Sequence, residues 1–130
     1  MEPDVVCALQ AHAAASYPEE CLGALLRSAS GAWVPVPLAN AAPERRGGFS
    51  LSARDYLALE ARAEAEGLEL VGFYHSHPDA EAVPSARDAE AAWPGWLTVI
   101  VPVTAKGPGP LRAWRLDGVE TRSFTEVSLA

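Results

Sequence analysis

The 130-residue chain predicts an α/β domain in which a mixed β-sheet is flanked by helices. Three observations carry that prediction. Segments with helical periodicity alternate with short apolar runs, in the order helix, strands, helix, strand, helix, strand, hairpin. Two of the runs, Leu68–His75 and Leu97–Val103, are apolar almost throughout, as expected of strands covered on both faces. The length fits one compact domain over residues 1–130, large enough to bury a core without disulfide staples. No repeat, linker or low-complexity segment divides it beyond a bias to alanine, which leaves the core to the Leu, Val, Trp and Phe positions.

Pro3–Ala15 reads as the first helix. Pro3 suits the first turn, Asp4 favours the positive helix end, and Val5, Val6, Leu9 and Ala13 share a face. Pro18 ends it, because the residue before a proline leaves helical geometry. Cys21–Leu26 is expected as a buried strand. Trp33–Leu38 is a second strand whose Pro35 and Pro37 require an edge or an irregular pairing. Asn40–Gly48 is a polar loop, and Phe49–Leu51 is expected as a short strand. The helix Ser52–Glu66 has Ser52 as N-cap, with Asp55 three residues on, and Gly67 as its stop. After the strand Leu68–His75, a loop runs from His77 to Pro84, then a short helix from Ser85 to Trp93, terminated by Pro94-Gly95. Beyond Leu97–Val103 and a turn at Lys106–Pro110, Leu111–Leu116 and Val119–Phe124 form a hairpin around Asp117-Gly118.

The net charge of -7 argues against a nucleic-acid partner, which would need a basic patch; Arg45-Arg46 is the one adjacent arginine pair. The acidic balance serves solubility, or else a dock for a basic partner. No apolar run reaches the ~18 residues of a membrane span, and no signal peptide opens the chain. Cys7 and Cys21 lack CxxC spacing. The expectation is a cytoplasmic protein with reduced thiols and no membrane partner.

The chemistry lies in HSHPDAEAVPSARD, His75 to Asp88. Residues two apart in extended backbone point the same way, with origins roughly 6.6 Å apart, so His75 and His77 can converge on one metal ion. Asp88 opens the next helix and can fold back as a third ligand. Two histidines and a carboxylate leave a fourth zinc position for water, and a nearby carboxylate must then move the proton. Each piece also has a plainer reading. HxH at a strand end occurs in ordinary hydrogen-bonded histidines, and Ser85-x-x-Asp88 is the pattern of a helix cap. The two readings of Ser85 and Asp88 are compatible, since a capped helix end is a rigid mount.

The pattern His75-Ser76-His77-Pro78, six residues, Ser85, two residues, Asp88 resembles the complete motif of the JAMM (MPN-plus) zinc metalloproteases. The upstream glutamate of that family is matched by Glu20 in YPEECLGALL, with Glu19 as its near neighbour. Order of elements agrees as well, including an Asn40-containing loop leading to Phe49; agreement is weakest after Val103.

That resemblance implies a cytidine-deaminase-like fold of the short prokaryotic JAMM/MPN type. It implies one zinc per chain held by His75, His77 and Asp88, with Glu20 as general base and Ser85 hydrogen-bonding the developing oxyanion. The implied activity is cleavage of an amide bond at the C-terminal tail of a ubiquitin-like (sulfur-carrier) protein, as a peptidase or isopeptidase. The alternatives are a non-catalytic scaffold of the same fold and a zinc hydrolase of small amides. The deaminase signature HxE with PCxxC is absent, and so is HExxH. Oligomeric state stays open. Outside the motif, His12 reads as a surface residue, Cys21 as packing, and Asp79 and Glu81 as solvated loop acids. Trp93 and Trp96 read as core packing, or else as the wall of a substrate groove.

Overall fold

The computed structural model describes residues 1–92, 94–118, 120 and 122–129. Its elements are α1 (Pro3–Ser16), β1 (Leu22–Arg27), β2 (Trp33–Leu38), α2 (Ala53–Glu66), β3 (Glu69–Pro78), α3 (Ala86–Ala91), β4 (Leu97–Thr104), β5 (Gly107–Pro108), β6 (Arg112–Leu116) and β7 (Phe124–Val127). The strands form one mixed sheet in the order β2-β1-β3-β4-β6-β7, with β5 paired to the end of β4. Only β3 and β4 run parallel among the described strands, and α3 lies in the connection between them.

Alternation along the strands sorts side chains between two helical layers. Leu25, Tyr74, Val99, Val101 and Ala113 pack with Leu9 and Ala13 of α1. Ala24, Leu26 and Val36 pack with Leu59 and Ala63 of α2, and Phe73 lies against that cluster. On β3, Tyr74 therefore faces α1, whereas Phe73, His75 and His77 share the opposite parity. Gly72 is required by close approach: a Cβ there would lie 2.0 Å from the Leu97 carbonyl oxygen of β4.

The helix signals behave as expected. Pro3 occupies the first turn of α1, Ser52 accepts a hydrogen bond from the Asp55 N–H, and Gly67 ends α2 in the left-handed region at φ 66°. Among the described strands β2 is an edge, paired only with β1, and so tolerates its two prolines.

Four expectations change. The HSHP segment is strand rather than loop, because Ser76, His77 and Pro78 continue the parallel register against Val101, Pro102 and Val103. Phe49–Leu51 joins none of the described strands; its Ser50 N–H bonds a side chain, that of Asn40. The terminal hairpin pairs Leu116 with Phe124, so β7 begins where the expected strand ends. Beyond that pair the Asp117 N–H donates to Ser123 O (2.8 Å), so the strands are not joined by a two-residue turn at Asp117-Gly118; Val119 and Thr121 lie outside the described residues. Finally, the deepest core is Leu, Val, Ile, Ala and Tyr74, while the described Trp and Phe side chains are only partly buried. Several of them line a cleft instead.

Candidate active site

The end of β3 carries the site. His75 and His77 share a face, and His75 is held in the middle of the sheet by Leu22 of β1 on one side and Ile100 of β4 on the other. Between them Ser76 faces the α1 side, where its Oγ accepts the Cys21 N–H at 2.8 Å. Asp88 is delivered by α3. Ser85 caps that helix by accepting the Asp88 N–H at 3.1 Å, and Asp88 Oδ2 accepts the Ser85 N–H at 2.9 Å, a reciprocal capping box. The capping role of Ser85-x-x-Asp88 is thus realised, and it sets the carboxylate against the histidines.

The three side chains meet. His75 Nε2 lies 3.2 Å from His77 Nε2, Asp88 Oδ2 lies 2.9 Å from His77 Nε2, and Asp88 Oδ1 lies 3.2 Å from His75 Nε2. Ligand atoms at about 2.0–2.1 Å from a tetrahedral ion stand roughly 3.3 Å apart, so this triangle has the dimensions of one face of such a site. All three residues are buried. His77 Nδ1 bonds the Glu81 carbonyl at 2.8 Å; a carbonyl only accepts, so Nδ1 carries a proton and Nε2 is the nitrogen presented to the cluster.

Glu20 comes from the segment before β1. It is 9% exposed, one of its oxygens is buried without a hydrogen-bond partner, and a carboxyl oxygen lies within 4.8 Å of ligand atoms of both histidines. The Glu20–His75–His77 group could hold a metal ion. Asp88, at 2.9 and 3.2 Å from the two Nε2 atoms, stands in direct contact with the pair.

Electrostatics separate the two carboxyls. Burial raises the Glu20 pKa and the Asp88 charge adds to it, against the opposing pull of His77 and Arg87, so that it reaches about 7. Burial opposes ionisation of Asp88 too, but hydrogen bonds from His75 and His77 outweigh it and hold Asp88 well below the usual carboxylate range. His75 is lowered by burial, whereas in His77 the bonds to Asp88 and the Glu81 carbonyl overcome burial and raise it. One carboxyl is thus kept ionised beside two imidazoles, and the other is poised to take or give a proton near neutrality.

A cleft of about 890 Å³ opens beside His75 and Asp88. Phe49, Leu51, Tyr56, Phe73 and Trp96 give it an apolar wall. Trp96 is partly buried and lines this cleft rather than the deep core; Trp93 lies outside the described residues. The Phe49 ring stacks on His75 with centroids 4.4 Å apart, a contact that no local sequence pattern announces.

Residues 2–117 match the family described as prokaryotic homologs of the JAB domain. The chain belongs to that family. This JAB domain is 37% identical over 121 residues to a desampylase of Haloferax volcanii, an alignment covering 91% of this chain and 82% of the relative. It is 39% identical over 59 residues to a probable TtuB-protein conjugate cleaving protease of Thermus thermophilus, covering 45% of this chain and 40% of that protein. A solution structure of a protein from Salinibacter ruber superposes with a TM-score of 0.71 at 39% identity, covering 98% of this chain and 87% of that one. The JAMM-type resemblance and the mixed-sheet fold drawn from the sequence both stand.

Three readings outside the motif can be settled for this JAB domain. His12 is not a surface residue: it is partly buried, and its Nδ1 lies 2.8 Å from the hydroxyl of buried Tyr74. Cys21 is buried packing and its thiol is pushed up by burial. Asp79 and Glu81 are exposed, though Asp79 also accepts the Tyr17 hydroxyl at 2.8 and 2.9 Å, tying the segment before Glu20 to the end of β3. Among the described residues, no helix is long and apolar enough to cross a membrane.

Proposed function

We propose that this chain, acting as one domain over residues 1–130, is a zinc-dependent peptidase or isopeptidase. Its substrate is an amide bond at the C-terminal tail of a ubiquitin-like (sulfur-carrier) protein. The observation that carries the reading is the buried convergence of His75, His77 and Asp88 within 3.2 Å of one another, with, beside them, one oxygen of Glu20 that has no hydrogen-bond partner among the described residues. The substrate class is supported by the desampylase and the conjugate-cleaving protease to which the chain is similar. Two free cysteines, Cys7 and Cys21, accord with a cytoplasmic setting.

In this reading His75, His77 and Asp88 hold one zinc ion. Zinc bound there supplies a Lewis acid and makes hydroxide available near neutral pH. Glu20, with a carboxyl oxygen within 4.8 Å of ligand atoms of both histidines, takes the proton of the attacking water and passes it to the leaving nitrogen. Ser85 stabilises the developing oxyanion. Its oxygen already accepts the Asp88 N–H as a helix cap, which leaves its O–H free to donate, so cap and oxyanion contact do not compete. A donor of this kind is worth about 2.7–4 kcal/mol in the transition state. The apolar cleft accepts the substrate's tail and excludes water from the reacting centre.

The test begins with metal content by elemental analysis of wild-type and His77→Ala protein. About one zinc per chain in wild type and little in the variant is the expected result. The probe for cleavage is a sulfur-carrier protein ending in Gly-Gly, joined through that terminus to a lysine side chain. Wild type releases the carrier, while Glu20→Gln retains zinc and loses release. Full-rate release by Glu20→Gln would overturn the mechanism, and a zinc-free wild type would favour the scaffold alternative.

A further inference from the structure

Glu20 does not belong to the sheet. The β1 ladder begins at Leu22, two residues later. What holds the Glu20 backbone is instead the loop 40–50: its N–H donates to the Arg45 carbonyl at 2.7 Å, and its carbonyl accepts Asn40 Nδ2 at 3.0 Å. Neither bond comes from a strand.

Asn40 also organises that loop. Its Nδ2 reaches a second carbonyl, that of Gly48, at 3.0 Å, and its Oδ1 accepts the N–H groups of Ala42 (3.0 Å) and Ser50 (3.1 Å). Two carbonyls face the amide nitrogen and two N–H groups face the amide oxygen, so the orientation of the side chain is fixed by its partners and its hydrogen-bonding capacity is filled. The Ala41 N–H to Ser50 carbonyl bond (2.8 Å) closes the same turn. The loop so gathered touches the site at two further points. It lays Phe49 on the His75 ring, and its Gly47 carbonyl accepts Arg87, the α3 residue preceding Asp88. Phe49, Ser50 and Leu51 are at the same time one wall of the apolar cleft.

We propose that Asn40 is a positioning residue: by clamping the loop 40–50 to the backbone of Glu20, it fixes the general base against the histidine–aspartate cluster and couples that placement to the wall of the substrate cleft. The inference rests on the role proposed above for Glu20, and its physical core is local order. The Glu20 backbone is bonded by the Asn40 amide and by the Arg45 carbonyl of the loop that this amide organises, not by a ladder, so it shifts when Asn40 is changed. Displacement of about 1 Å at a reacting centre costs roughly 100-fold in rate.

Asn40→Asp isolates the relevant bonds. It keeps the oxygen that accepts from Ala42 and Ser50 but replaces the donor facing the Glu20 and Gly48 carbonyls with an acceptor. Asn40→Ala removes all four bonds without adding charge and serves if the aspartate variant does not fold. Two readouts are taken on the zinc-loaded chain: kcat for release of the sulfur-carrier probe, and backbone amide exchange by NMR. The expected result is zinc content unchanged, kcat down roughly 100-fold, and exchange at the Glu20 amide faster by about ten-fold or more in both variants, with the Ser50 amide following only in Asn40→Ala, while Ala24 and Tyr74 in β1 and β3 stay protected. Wild-type kcat together with unchanged Glu20 exchange in either variant overturns the proposal. If wild-type protein binds zinc but releases nothing from the probe, the functional reading fails on its own, and the exchange at Glu20 still decides whether Asn40 holds it.

Discussion

Glutamine at position 20 should make the metal-free protein more stable, and increasingly so as pH rises. The Glu20 carboxyl ionises at about 7 in the folded chain against an ordinary 4.5, chiefly because burial penalises its charge. Between those values the unfolded chain has lost a proton that the folded chain retains. The folded state therefore binds more protons, its stability falls as pH climbs from 4.5 through 7, and the full penalty is present above 7. The difference between 4.5 and 7 corresponds to about 3 kcal/mol at 1.36 kcal/mol per pH unit. Solvent entering through the cleft screens part of that, leaving about 1.5 kcal/mol. Glutamine keeps the size and one hydrogen-bonding oxygen without the charge. The assay is urea unfolding of chelator-stripped wild-type and Glu20→Gln protein at intervals from pH 5 to pH 8. The two should nearly coincide at pH 5 and separate by about 1.5 kcal/mol at pH 8, with glutamine the more stable. Parallel stability curves across that window would refute the claim that burial of Glu20 sets its proton affinity.

Four further outcomes are expected. Gly72→Ala should destabilise by about 3 kcal/mol or more, because the new Cβ would meet the Leu97 backbone oxygen at 2.0 Å; urea midpoints measure it. His12 is lowered by burial, so the stability tied to its neutral form is complete above its ordinary pKa of 6.5 and lost as pH falls below it. His12→Gln should abolish that part of the acid-side slope in thermal melts. Asp88→Asn keeps an acceptor for the Ser85 N–H and hence the α3 cap, yet should leave zinc per chain well below wild type while far-UV circular dichroism is unchanged. Cys7, exposed, should react with iodoacetamide in the native protein, whereas buried Cys21 should label only after unfolding, as peptide mass mapping can tell.

What the sequence makes legible is whatever depends on neighbours along the chain. Ser52, Gly67 and Ser85 act where their chemistry says they must, since a cap is a local device. The convergence of His75, His77 and Asp88 is legible for a related reason: HxH at strand spacing plus a capped aspartate is a short pattern, and the structure brings its members within 3.2 Å. The failures are all long-range. His77 and Pro78 belong to β3 because β4 reaches alongside them. Phe49–Leu51 stays out of the sheet because the Ser50 N–H goes to the Asn40 side chain and its carbonyl to the Ala41 N–H, ten and nine residues away. His12 is tethered by Tyr74, 62 residues on, and nothing near position 12 could announce it. The aromatic residues expected in the core wall a cleft instead, a choice set by how α2 and the loop 40–50 frame β3 rather than by hydrophobicity.

The two prolines of β2 carry one more consequence. Pro35 and Pro37 lie two apart, so their backbone nitrogens point the same way, and both are paired opposite Leu25 and Gly23 of β1. Proline has no N–H to give that ladder, so those nitrogens fall on the outer rim, where an arriving strand would look for donors. The rim is therefore poor in the groups that extend a sheet from one molecule into the next. At the opposite margin, β7 is only four residues long and carries Glu126 in an ion pair with Arg112. A sheet with one side poor in donors and the other short and charged resists growth into fibres at high concentration, so this chain should stay dispersed where a longer, unbroken margin would recruit its own copies.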